Sequence, residues 1–60
     1  MYKSEITTII NENLKLSSAA AILINTFNST GNIAHLNSAE EIQEQMERNF
    51  KRIEKMRGEN

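Results

Sequence analysis

Apolar residues in the first half of the chain recur at three- and four-residue steps, through Ile6, Ile9, Ile10, Leu16, Leu23 and Phe27. That is the period of one face of an α-helix. Written as a heptad, the a positions are Ile6, Asn13, Ala20 and Phe27 and the d positions Ile9, Leu16, Leu23 and Thr30. Ser4 and Glu5 supply an N-cap and an acidic first turn, and Gly31 stands where a left-handed residue ends a helix. The pattern predicts a helix over about residues 4–28.

A second stripe runs through Ile42, Met46, Asn49, Ile53 and Met56, alternating d and a, with Phe50 widening it at e. Ser38-Ala39-Glu40-Glu41 has the spacing of a capping box, in which Ser38 and Glu41 satisfy each other's backbone donors. Gly58 closes the stretch, so a second helix is predicted over about 38–57. Residues 29–37 are rich in turn formers and read as a connector, with Ile33 and Leu36 tucked beneath it. A cap at Ser17 or Ser18 would split the first helix and give a three-helix bundle. No Glu or Gln follows either serine at the capping-box position, and the heptad passes through without a phase change, which favours the continuous helix.

The run Ala19-Ala20-Ala21-Ile22-Leu23-Ile24 is apolar on every side of its helix. A helix that is apolar all round is buried all round, and a two-helix hairpin covers only one side. Ile22 and Ile24 would stay wet in a monomer. The fold expected is therefore all-α, a helical hairpin that associates with a second copy into a four-helix bundle. The predicted oligomer interface comprises Ile9, Leu16, Ala20, Leu23, Ile24, Phe27, Met46, Phe50 and Ile53. Asn13 and Asn49 interrupt the apolar stripes, and polar residues at such positions fix register at a cost in stability. On the pattern alone, Asn13→Ile should raise the melting temperature and loosen the choice of oligomer.

Composition sharpens this picture. Sixty residues form one domain at most, and a chain this short buries only roughly 60% of the surface its unfolded form exposes. Disulfides, metals or association usually make up the difference, and there is no Cys. The longest apolar run falls far short of the roughly 20 residues that span a bilayer. Met1-Tyr2-Lys3 leads into Ser4-Glu5 rather than an apolar stretch, so no secretory leader is expected and the protein is read as cytoplasmic.

Candidate chemistry is sparse. There is no Cys or Asp, a single histidine, His35, in the predicted connector, and only two isolated glycines, which excludes a glycine-rich phosphate loop. Neither catalytic residues, metal ligands nor a cofactor site are expected. A net charge of −1 gives the whole chain no pull towards nucleic acid or anionic lipid. On the second helix Glu40, Glu41, Glu44 and Glu47 precede Arg48, Lys51, Arg52, Lys55 and Arg57, an order that suits the helix dipole and allows Glu44–Arg48 and Glu47–Lys51 pairs. Arg48, Lys51, Arg52 and Lys55 also form a stripe able to meet an acidic partner or phosphates. Two functions follow. The first is a non-enzymatic interaction module, an adaptor, inhibitor or regulator of another protein, acting as a homodimer. The second is a nucleic-acid-associated regulator, with Ser17 to Leu36 as a helix-turn-helix variant and Arg48 to Arg57 on the backbone.

Overall fold

The computed structural model describes residues 3–58; Met1 and Tyr2, on which the absence of a leader was argued, lie outside the described residues. Two helices account for them, α1 over Lys3–Thr30 and α2 over Ile33–Gly58. They pack against each other as an antiparallel hairpin. α1 runs through Ser17 and Ser18 without a break, so the three-helix alternative is not formed. Both serines are exposed, and Ser18 Oγ donates to the Leu14 carbonyl one turn back (3.2 Å), which leaves it no role in starting a new helix.

The turn corrects the expected connector. Only Gly31 and Asn32 separate the helices, in place of residues 29–37, and α2 begins at Ile33 rather than Ser38. Gly31, at φ 70°, ends α1 with its N–H donating to the Phe27 carbonyl at 2.7 Å. Asn32 then starts α2: its Oδ1 accepts from the Ala34 N–H (3.0 Å) and its carbonyl from the His35 N–H (3.1 Å). Thr30 Oγ1 steadies the link by accepting from the Asn32 N–H at 3.2 Å. Asn32 thus performs the capping assigned to Ser38, which lies exposed inside α2. With the cap moved, Asn32→Ala should cost about 0.5–2 kcal/mol. Ser38→Ala should stay within about 0.5 kcal/mol, as exposed helix substitutions do. Thermal melts of the two variants decide this, and the reverse order would place the start of α2 at Ser38 after all.

The seam follows the heptad. Ile9, Asn13 and Ala20 of α1 and Ala39, Asn49 and Ile53 of α2 are buried. Leu16, Leu23, Phe27, Ile42, Met46 and Met56 are half-buried along the same line. The product is a rod of 46 × 14 × 10 Å between Cα extremes, with a radius of gyration of 14.1 Å. A compact chain of this length has about 10 Å. The core is one row of side chains deep, so neighbouring residues on each helix fall directly on the surface.

Candidate functional site

At the middle of the seam the two helices are joined through polar groups. Asn49 is 0% exposed and Asn13 is 5% exposed. Asn49 Nδ2 donates to Asn13 Oδ1 at 2.8 Å, and Asn13 Nδ2 donates to the Met46 carbonyl at 3.4 Å. Asn49 Nδ2 also donates to Glu12 Oε2 (3.0 Å), while Asn49 Oδ1 accepts from Gln45 Nε2 (3.2 Å) and Arg52 Nη1 (3.4 Å). Arg48 extends the group by donating to Gln45 Oε1 at 2.8 Å. A lone amide in an apolar seam costs free energy unless its donors and acceptors are matched. Here, among the described residues, no buried side-chain nitrogen or oxygen is without a partner. The cluster is closed on itself. Its amides neither titrate nor attack, so its chemistry is to hold the two helices in one register.

The heptad identified Asn13 and Asn49 as seam residues, but not as each other's partners within one chain. That pairing depends on the hairpin register, which the short turn sets. Glu12, Gln45 and Arg52 also escaped the sequence reading as members of this cluster. Each stands one position before a seam residue, and that placement is the only signal that could have found them.

The residues assigned to an oligomer interface divide into two groups. Ile9, Ala20 and Ile53 are buried within the hairpin, and Leu16, Leu23, Phe27 and Met46 are half-buried along it. Ile24 and Phe50 are exposed, and so are Ile10, Leu14, Ile22 and Ile33. Leu14 is 63% and Phe50 52% exposed, far more than a single core would leave of such large side chains. A surface groove beside Phe50 is lined by Gln43, Met46, Glu47 and Phe50. The expectation that the segment around Ile22 and Ile24 outruns what one hairpin covers is met.

The basic stripe lies on the outer side of α2, with Arg48 and Arg52 reaching back to the amide cluster. Arg48, Lys51, Arg52 and Lys55 are all exposed on α2, among Glu41, Glu44 and Glu54. Residues 17–36 do not form a helix-turn-helix. They are the second half of α1, the two-residue turn and the first turn of α2, which packs back along α1, whereas that motif sets its helices at a steep angle. His35 is half-buried in the first turn of α2, not in a loop. Among the described residues no group of three His, Cys, Asp or Glu side chains is placed to hold a metal, and no helix is long and apolar enough to cross a membrane.

The fold and this surface define a class, a two-helix hairpin pinned by a buried amide pair. No protein-family model, curated protein or solved structure matches the chain.

Proposed function

We propose that this chain is a non-enzymatic, cytoplasmic protein-interaction module, an adaptor, inhibitor or regulator of another protein, and that it acts as a homo-oligomer of two hairpins joined in a four-helix bundle. The observation that carries the reading is the exposure of Ile10, Leu14, Ile24, Ile33 and Phe50 on a rod only one side chain deep. Fully burying each such side chain is worth roughly 1.5–3 kcal/mol, and a hairpin of this size has little other reserve. In this reading the outer surface of α2, with Arg48, Lys51, Arg52 and Lys55, stays in water and meets the protein that is regulated.

Two measurements test it. Light scattering on the purified chain should give a mass of at least twice 6.9 kDa. The chain used as bait should retain a host protein that the Lys51→Glu/Lys55→Glu variant releases, although the variant melts within about 0.5 kcal/mol of the parent because both lysines are exposed. A mass of 6.9 kDa removes the oligomer. Retention on heparin that fades steeply with salt, without protein capture, would replace the protein partner by nucleic acid.

A further inference from the structure

We infer that a second copy of the chain covers one particular face of the hairpin, the flank of α1 that carries Ile10, Leu14, Ala21 and Ile24 together with Phe50 of α2; this rests on the homo-oligomer proposed above. The flank is defined by position. Ile10, Ser17 and Ile24 each follow a seam residue, namely Ile9, Leu16 and Leu23, and Leu14 and Ala21 follow Asn13 and Ala20. One residue on is about 100° round the helix, so all five turn to the same side of the seam. Phe50 follows Asn49 in the same sense, and in an antiparallel pair equal rotations from the seam bring both helices' flanks to one face. The opposite rotation gives an internal check. Glu12, Gln45 and Arg52 each precede a seam residue, and they meet around Asn49 on the other face.

The two flanks of α1 differ in charge as well as in polarity. The charged residues of α1 are Lys3, Glu5, Glu12 and Lys15, and there is no Asp, Glu, Lys or Arg between Lys15 and Glu40. From Ser4 to Asn28 the flank of α1 carrying Ile10, Leu14 and Ile24 has no charged residue, and its outer edge is Ser4, Asn11, Ser18 and Asn25. Ser18 turns its hydroxyl onto its own helix, which makes this edge less polar still. Solvated helix faces normally carry charge, whereas the centres of protein interfaces are depleted of it.

Surface area identifies the occupant. The chain exposes 4606 Å². A compact monomer of this mass exposes about 4,000 Å², so the hairpin carries roughly 600 Å² more than a self-sufficient fold. A stable interface removes about 600–1,000 Å² from each partner, and that surplus reaches the lower end of the range. A two-fold dimer buries the same patch on both copies, so the patch must tolerate itself. A face of one charge would repel its twin. The α1 half of this face is uncharged, whereas on α2 the same rotation sets Glu40, Glu47, Glu54 and Arg57 beside Phe50, so it is the α1 halves of two copies that meet at the centre. The α1 flank also offers a foreign protein no charge to select it. Small residues at Ser17, Ser18 and Ala21, between the larger Ile10, Leu14 and Ile24, let two α1 helices approach.

The test compares faces on the intact chain. Light scattering should return twice 6.9 kDa for the parent, 6.9 kDa for Leu14→Lys, and twice 6.9 kDa for Ile22→Lys, whose equally exposed side chain points away from this face. A second readout does not depend on a disruptive substitution. The chain has no cysteine among its described residues, so Ser17→Cys and Lys15→Cys each introduce a single thiol. Maleimide labelling should slow several-fold with rising protein concentration at position 17 and stay constant at position 15. If the parent is a dimer, yet Leu14→Lys keeps the dimer mass or position 17 labels as freely as 15, the second copy sits elsewhere and only the choice of face falls. A parent of 6.9 kDa at every concentration removes both this face and the homo-oligomer.

Discussion

Asn49→Ala is expected to lower the melting temperature by roughly 8–16 °C, the shift for a domain of this size when about 2 kcal/mol is lost. The loss has an identifiable origin. Asn49 is fully enclosed, and its removal takes the donor from Asn13 Oδ1 and leaves that buried carbonyl unmatched. Stranding one buried polar group costs about 1–3 kcal/mol. Glu12, Gln45 and Arg52 also lose a contact, but Glu12 and Arg52 are exposed and turn to water. The informative companion is the double variant Asn13→Leu/Asn49→Leu. Replacing both members by apolar groups leaves nothing stranded, so its stability should lie close to the parent's or above it. A double-mutant cycle from thermal melts measures the coupling. If the single and double variants lose stability additively, the two amides act independently and the cluster does not hold the register.

The same geometry reverses an expectation drawn from the heptad. Asn13→Ile looks stabilising while Asn13 is only a polar residue in an apolar stripe. With Asn49 facing it at 2.8 Å, the substitution deprives a fully enclosed amide of one partner and should be destabilising. Because the pair joins α1 to α2 within one chain, the register that these residues would fix is that of the hairpin, and the double-mutant cycle tests it.

How far the fold could be read ahead of the structure differs along the chain. α1 was legible because its start, its stop at Gly31 and its heptad phase all agree, and Ile9, Asn13 and Ala20 are buried where a and d positions fall. The end of α2 and its seam through Met46, Asn49 and Ile53 were legible for the same reason. The start of α2 was misplaced because two capping signals compete. Ser38 with Glu41 has the stronger sequence pattern, but Asn32 lies directly after the glycine that ends α1, and its carboxamide caps the next helix with no residue between. His35, Leu36, Ala39 and Ile42 already continue the apolar steps backwards from the seam, and Ile33 to Asn37 needed no turn chemistry once Gly31 had reversed the chain. One helical wheel places all apolar residues of a helix on the same footing and cannot separate side chains used within the hairpin from those left over. That separation needs the partner helix. It moved Ile9, Ala20 and Ile53 inside and left Ile10, Leu14 and Phe50 outside.

The adjacent pair Ile9 and Ile10 gives the second large effect. Ile9 is 3% exposed and Ile10 45% exposed, so truncating Ile9 removes contacts within the hairpin, whereas truncating Ile10 removes contacts that only the dimer proposed above would make. Ile9→Ala opens a space in a core one side chain deep and should cost about 2–5 kcal/mol. A lone core of this size supplies about 3–5 kcal/mol in all, so the hairpin by itself would be largely unfolded. Association counteracts this. If only the folded hairpin dimerises, mass action raises its stability with concentration, and the helical circular dichroism signal of Ile9→Ala should return as the protein is concentrated. Ile10→Ala should behave in the opposite way, because it leaves the seam intact and trims the covered face. Its helical signal should persist at high concentration, while the concentration at which the dimer dissociates rises. Dilution series of both variants, followed by circular dichroism and light scattering together, separate the two contributions. An Ile9→Ala variant whose melting is independent of concentration would mean that folding and association are not linked, and the hairpin would then be stable by its seam and amide pair alone.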